Sequence, residues 1–385
     1  MTTQLSSGQS IYQVRLKNQA GQLVAIFDNW ISLTYVHDIN KRGNARFEIN
    51  ANDDRVDLFE LDGQFEVWRR NPIVGLDWYL EWEGFYRTNN DLYQQNDNNN
   101  FVAYMLGYLD LARRAHVMYS EGSAGATKSD TVETVMKEFV IENIGSSALA
   151  SNGREYNNVM PGLGVQADGA DGPTWDDTVS GENLLQVLQD ISLFSTQQND
   201  TIDFDIVGVG DALFQFNTYS GQRGTDRTEG NADGTLPVIF GLQFGNMIMP
   251  ILSNDRTNEI TAVYALGRGT DDAKQIVLVQ SANRADSPWN RIEKIVNVGS
   301  ASGDDQTDQL TSAARSELEN GKFDTRISFD VMQVSSTYYG KDYWWGDLVS
   351  VRFKDLTFDK KIIEVRVTVS QNAEGESIAL TFADK

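Results

Sequence analysis

Two histidines, His37 and His116, and no cysteine leave this chain few groups for nucleophilic, redox or zinc chemistry. Disulfides, thiolate zinc sites, iron–sulfur clusters and cysteine nucleophiles are excluded. His37 falls in an alternating, strand-like stretch, and His116 follows Arg113–Arg114 at an expected strand end. Neither belongs to a metal-binding histidine pair, so each reads as a strand or surface histidine. No His-Glu-x-x-His run, nucleophile elbow or P-loop occurs.

Carboxylates are plentiful, 55 in all, so composition alone leaves a two-carboxylate glycosidase open. Trp78 to Glu83 sets rings beside acids, as a sugar cleft would, and as a strand packing alternate rings also would. Asp168–Gly169–Ala170–Asp171–Gly172 with Asp176–Asp177 offers oxygen ligands of the kind Ca²⁺ takes. It departs from the twelve-residue EF-hand spacing, and a solvated loop is the simpler expectation. Gly208–Val209–Gly210–Asp211 and Gly267–Arg268–Gly269 lack the full dinucleotide fingerprint and read as turns. Tyr338 to Trp345 packs five aromatics into eight residues, which points to core or subunit-interface packing, with a ligand platform as the alternative. No catalytic residue, no cofactor-binding residue and no metal ligand is assigned, and no cofactor is expected.

The elements that must carry these residues are mostly strands. Tyr12, Val14 and Leu16 alternate with polar partners, and Asn18–Gln19–Ala20–Gly21 turns the chain back through Leu23 to Phe27. Ile31–Leu33–Tyr35, Ala45–Phe47–Ile49, Phe65–Val67, Trp78–Leu80–Trp82 and Phe101 to Tyr108 follow, with Asp97–Asn98–Asn99–Asn100 as a turn. Short strands split by Gly, Asn and Asp turns predict a sandwich or small barrel. A helix is then expected where Val132, Val135, Met136, Phe139 and Val140 share a face, with Asp130 and Glu133 as a capping box. Gly145 to Gly181 reads as a long loop, cut by trypsin preferentially at Arg154. A second helix carries Leu184, Leu188 and Ile191 behind a Ser180 cap. Strands resume at Ile202–Ile206, Leu213–Phe216, Glu259–Leu266 and Gln275–Val279. A third helix covers Thr307 to Asn320 with Gly321 as its C′ glycine. Leu348–Phe353, Ile363–Val369 and Ile378–Phe382 close the chain as strands.

At 385 residues the chain exceeds the roughly 250–300 that one core supports, so several domains are expected. Apolar content of 40% and aromatic content of 10% fit a folded, soluble chain. Met1 to Gly8 has neither a basic nor an apolar region, so no signal peptide is expected. No apolar run reaches the roughly 20 residues of a membrane span. A net charge of −23 repels phosphate and anionic lipid, so neither sequence-specific nucleic-acid binding nor membrane binding is expected.

Several segments together resemble the central baseplate hub and distal tail-tip proteins of long-tailed phages. They are Asn40–Lys41–Arg42–Gly43 before Ala45 to Asn50, and Leu61–Asp62–Gly63 before Phe65 to Arg69. Glu182–Asn183–Leu184–Leu185, Arg223–Gly224–Thr225–Asp226–Arg227–Thr228, Phe240, Phe244–Gly245–Asn246–Met247 and Asn258 to Gly269 follow. Tyr339 to Val349 ends the series with an aromatic-Gly-Asp start to a strand. The resemblance covers most of the chain, and the order of the segments carries it; Gly145 to Gly181 fits poorly.

This resemblance implies a β-rich α+β fold with two small tail-tube-type β-barrel domains and peripheral helix-containing domains. The boundaries expected are 1–115 for an N-terminal barrel, 116–200 for a helical and loop insertion and 201–322 for a peripheral α+β domain. A C-terminal barrel then covers 323–385, and its sheet can include strands from 201–322. Two barrels per chain in a homotrimer give six positions, which would adapt six-fold tail rings to a three-fold tip. The implied partners are distal tail or tail-tube ring proteins, a tape-measure protein, and tail fibre or receptor-binding proteins. The implied location is the virion tail tip, after synthesis in the host cytoplasm. Acidic residues are expected to line part of a DNA-passing lumen in a ring of charge about −69. A tail-associated cell-wall or polysaccharide hydrolase and a glycan-binding receptor protein are the alternatives. Against the hydrolase, the strands run almost to Lys385 and leave no room for an appended domain.

Overall fold

The computed structural model describes residues 10–93, 99–119, 122–123, 125–150, 157–221, 223–268, 274–298, 306–334, 336–370 and 376–384. Met1 to Gly8, Asp97, Asn98, Arg154 and Gly269 lie outside them. The chain divides into two compact units, Met1–Pro250 with Ser328–Lys385, and Ile251–Ile327.

The first unit opens with seven strands: β1 Ile11–Lys17, β2 Leu23–Phe27, β3 Ser32–Asp38, β4 Asn44–Asn50, β5 Gln64–Asn71, β6 Leu76–Leu92 and β7 Asn100–Leu106. Period-two patterning sends Tyr12, Val14 and Leu16 of β1 and Ala45, Phe47 and Ile49 of β4 inward. Their core is a chain of rings: Phe27–Phe47 at 5.2 Å, Phe47–Phe65 at 5.4 Å and Phe59–Phe101 at 5.1 Å between centroids. Burying each such side chain contributes about 1.5–3 kcal/mol.

A helical insertion follows. It comprises α1 Asp110–Arg113, β8 Ala126–Thr131, α2 Val132–Asn143, β9 Leu163–Val165, β10 Thr174–Val179, α3 Leu184–Gln197, β11 Ile202–Gly210 and β12 Leu213–Ser220. The expected apolar faces of α2 and α3 are buried against one another and against Phe204, Phe214 and Phe216. The stretch from Gly145 to Gly181 is not all loop: β9 pairs parallel with β12, and β10 pairs antiparallel with β8. Asp130 is not part of a cap, because it is already committed to the β8 ladder opposite Trp175. The cap residue is Thr131, and Glu133 turns to the loop instead. Ser180 does not cap α3 either; Asn183 does, and its side chain reaches back to the Arg113 and Ala115 carbonyls at 2.7 and 3.0 Å.

The chain continues through β13 Asp226–Arg227, β14 Ile239–Gly241 and β15 Met247–Asp255 into the second unit, which holds β16 Ala262–Leu266, β17 Ile276–Gln280, β18 Glu293–Asn297 and α4 Thr307–Asn320. There β16 lies between antiparallel β17 and parallel β18, with Val263 and Ala265 packed on Leu310 and Ala314 of α4. Gly321 ends α4 with φ −101°, not the left-handed value expected of a C′ glycine. What it supplies is room: a Cβ there would lie 2.5 Å from the Ile260 side chain, and its carbonyl accepts the Ile260 N–H at 2.7 Å.

Returning through β19 Asp324–Val331, the chain ends in β20 Leu348–Phe353, β21 Leu356–Ser370 and β22 Glu376–Asp384. β21 pairs with β22 on one side and with β3 on the other, in the register Tyr35↔Val367 and His37↔Val365. That one ladder joins the first and last thirds of the sequence in a single sheet of 14 strands among the described residues. No helix among them is long and apolar enough to cross a membrane.

Candidate functional site

A fully buried cation of the first unit is Arg69 on β5. It needs a counter-charge and hydrogen-bond acceptors, and β22, β6 and the segment before β20 supply them. Its Nε and Nη2 donate to the Glu376 carboxylate on β22 at 3.0 and 2.5 Å. Its Nη1 donates to the Tyr339 carbonyl at 2.8 Å and to Tyr79 Oη at 2.7 Å. Glu376 also accepts from Tyr12, from Ser10 at 3.0 Å and from Tyr338 at 3.1 Å. Burial, with Glu376 beside it, pushes the Tyr12 phenol well above its usual range. The arrangement is an ion pair stitched into both halves of the sheet, and it presents no reacting group.

Glu81 sits next to it, on β6. Its Oε1 accepts from Tyr339 Oη at 2.9 Å and lies 3.5 Å from His37 Nε2. Burial raises the carboxyl, but His37, Arg69 and Tyr79 outweigh it and hold the group below its usual range. The His37 ring stacks on Trp345 at 5.0 Å between centroids. Arg223 covers Trp345 at 4.0 Å, so both neighbours of that ring are side chains of the same chain. Trp344 is in edge contact with Tyr79 at 5.2 Å, and Tyr338, Tyr339 and Tyr343 are buried. The Tyr338 to Trp345 cluster is thus packing within the chain rather than an open platform. His116 is exposed, and its Nδ1 faces the Gly181 carbonyl at 3.0 Å.

The segments quoted above turn out to be joints. Asn40 adopts a left-handed φ of 58°, and its side chain binds the insertion three ways. Its amide donates to Ser192 Oγ and Asp203 Oδ1, both at 2.9 Å, and its oxygen accepts the Phe204 N–H at 2.8 Å. Lys361 on β21 grips the other Asp203 oxygen at 2.7 Å. Gly43 is required by its φ of 54° and by the Val36 carbonyl, 2.5 Å from where a Cβ would sit. Asp347, from the aromatic-Gly-Asp segment, accepts from Thr225 N at 2.6 Å, Arg227 Nε at 2.9 Å and Trp344 N at 2.9 Å. Gly224 and Gly346 meet there backbone to backbone, since a Cβ on Gly224 would lie 2.3 Å from the Gly346 carbonyl carbon.

The acidic loop closes on Glu133. The carboxylate accepts the Gly169 and Asp171 N–H groups at 3.2 and 2.9 Å, and Asp168 accepts from Thr134 at 2.7 Å. Among the described residues no three His, Asp or Glu side chains are grouped as metal ligands.

A family model described as Siphovirus ReqiPepy6 Gp37-like protein matches residues 13–382. The chain belongs to this family. Three solved structures share the fold over nearly their whole lengths. One is a tail protein from Neisseria meningitidis MC58, 13% identical, with TM-score 0.59 and 97% and 96% of the two chains covered. Another is the 43 kDa tail protein of prophage MuSo2 from Shewanella oneidensis, 10% identical, with TM-score 0.60 and coverage of 97% and 98%. The third is prophage tail protein gp18 from Listeria monocytogenes EGD-e, 9% identical, with TM-score 0.52 and coverage of 97% and 95%. Among curated proteins, none matches the sequence. The resemblance read from the ordered segments therefore holds: this Gp37-like chain has the β-rich fold of phage tail proteins.

Proposed function

We propose that this Gp37-like protein is a structural component of the tail tip or baseplate of a phage-type tail, carried in the virion. The observation that carries the reading is the family match over residues 13–382, on a fold shared end to end with tail proteins. In this reading the protein works by assembly and carries out no catalysis. Three chains close into a ring, and each contributes two tube-type barrels. One comes from residues 1–115 and one from 323–385 with strands of 201–322. Six barrel positions then meet six-fold tail rings, while the tip stays three-fold. Ring closure also covers sheet edges that a lone chain leaves open. Distal tail, tape-measure and fibre or receptor-binding proteins are the neighbours such a ring would have. The charge of −23 per chain suits a passage for DNA, because a like-charged wall does not hold it.

Light scattering after size exclusion, followed by electron microscopy, tests this. The expected result is a trimer with an axial hole, alone or with a tail ring protein. A chain that stays monomeric in the presence of its tail neighbours overturns the ring. Lysis of cell-wall material by the purified protein in a zymogram would overturn the non-catalytic reading.

A further inference from the structure

One outer face of the first unit carries arginines stacked on tryptophans, and neither the fold nor the buried Arg69 network uses it. It is the side of β2, β1, β5 and β6 turned away from the Phe27–Phe47–Phe65 core. The ladder registers set its residues in rows: Ile26 opposite Arg15, Gln13 opposite Trp68 with Leu80 beyond, and Ile11 opposite Arg70. The Arg15 guanidinium lies over the Trp68 ring at 4.1 Å, and that of Arg70 over Trp78 at 4.7 Å. Stacking steadies each planar fork and leaves N–H edges for an oxygen acceptor. The chain itself supplies little: Arg15 donates to Gln13 at 2.8 Å, and Arg70 Nε has no hydrogen-bond partner. Among the described residues neither arginine meets a carboxylate, although acidic residues outnumber basic ones by 55 to 32. The two carboxylates on this face are taken, Glu66 by Lys17 at 2.6 Å and by Trp68 Nε1 at 2.7 Å, and Glu83 by the Gly208 N–H at 2.7 Å. Beside the arginines the face is apolar and open, with Ile26 42% and Leu80 37% exposed. Arginine and tryptophan among exposed aliphatic residues is the make-up of a protein-docking patch.

Charge narrows the choice of occupant. The patch calls for carboxylates, but a polyanion such as nucleic acid or an anionic bilayer is repelled at longer range by the net charge of −23. The acid must therefore arrive on a protein surface, one side chain at a time. This chain is itself such a protein: its exposed carboxylates without a cation among the described residues include Asp176 and Asp177 on β10. Two copies cannot meet patch to patch, because each would bring guanidinium groups and no free acid. The contact is then heterologous, the arginine face of one copy against an acidic face of the next, and contacts of that kind close into rings or run on as filaments.

We propose that the face bearing Arg15 on Trp68 and Arg70 on Trp78 docks, head to tail, against the acidic surface of a second copy of this chain. The proposal rests on the ring reading above and names the face through which that ring closes. The guanidinium groups supply the charge match, and Ile26 and Leu80 supply the apolar contact between them.

The test is light scattering of the full chain over a concentration series, at low and at high salt. Wild type is expected to self-associate, less so at high salt. Arg15→Glu with Arg70→Glu should weaken self-association by about tenfold or more. Arg284→Glu with Arg366→Glu makes the same charge change at two other exposed arginines and should stay near wild type. Arg15→Gln with Arg70→Gln is the milder variant, and circular dichroism checks that each folds. The Glu variant keeps its acidic side, so a tagged copy of it should still capture untagged wild type, whereas two variant copies should not pair. Rings formed equally by wild type and the folded arginine variants overturn the patch and leave the ring reading standing. A wild type that is monomeric at every concentration sinks both the patch and a ring that closes unaided.

Discussion

Asn40 Oδ1 accepts the backbone N–H of Phe204 at 2.8 Å, across 164 positions of sequence. The contact sits at the end of β3, beside the ladder that β3 makes with β21. A single left-handed asparagine therefore ties the helical insertion to the strand through which the two ends of the chain are joined. Its amide shares Asp203 with Lys361 of β21, so three distant segments meet at one carboxylate.

Asn40→Ala should lower stability by about 2–4 kcal/mol. About 1–2 of this is left-handed strain on a Cβ residue without a local hydrogen bond, and the rest is the loss of partners for Asp203 and the Phe204 N–H. Asn40→Gly keeps the backbone and should lose only the second part. Hydrogen exchange read at β11 checks this directly. Equal protection of the Phe204 amide in wild type and Asn40→Ala would contradict the joint.

Gly346→Val should abolish soluble, correctly assembled protein, and Gly346→Ala should impair it less. The φ of 92° excludes a β-branched residue, and Gly224 N lies 3.2 Å from the added Cβ. The next residue is Asp347, whose three accepted hydrogen bonds hold Thr225, Arg227 and Trp344. Soluble yield and oligomeric state are the readouts. A Gly346→Val protein with wild-type values of both would show that the turn tolerates a side chain.

Glu376→Gln should cost about 3–5 kcal/mol, because Arg69 would remain buried without its counter-charge. Arg69→Met with Glu376→Leu should be less damaging than Glu376→Gln alone, since no buried cation is left without its counter-charge. Thermal unfolding of the single and double variants gives the comparison. Additive losses would mean that the pair is not coupled.

The local pattern of this fold is readable and its long-range pairing is not. Period two finds β1, β3, β4 and β21, and the helical period finds α2, α3 and α4, because each reports which face of one element is apolar. Asp203 defeats the same rule. It alternates with Ile202 and Phe204 as an outward residue would, yet it is 3% exposed, because Asn40 and Lys361 cover the outer side of β11. Asp130 and Ser180 look like caps because capping is a local grammar, and strand pairing with residues 174–179 or a distant loop takes precedence. The ordered motif segments are visible in the sequence. That Arg223 to Thr228 and Tyr339 to Val349 share Asp347 is a fact of tertiary structure, and no spacing encodes it.

Stability should fall as pH rises through the window set by Glu83. Its carboxyl goes from an ordinary 4.5 to about 7 on folding, so the folded state holds a proton that the unfolded state has released. Below pH 4.5 both states are protonated and the group contributes nothing adverse. Between 4.5 and 7 the advantage of the folded state shrinks progressively, and above 7 it is spent, with a ceiling of about 3 kcal/mol. Glu83→Gln mimics the protonated form and should flatten this part of the profile, leaving the variant more stable than wild type at pH 8 and nearly equal to it at pH 5. Glu66, directly opposite, should behave as the source of part of the effect, so Glu66→Gln should move the Glu83 transition downward. Urea midpoints at pH 5, 6, 7 and 8 for the three proteins decide the matter. Parallel profiles for wild type and Glu83→Gln would remove Glu83 as the titrating group.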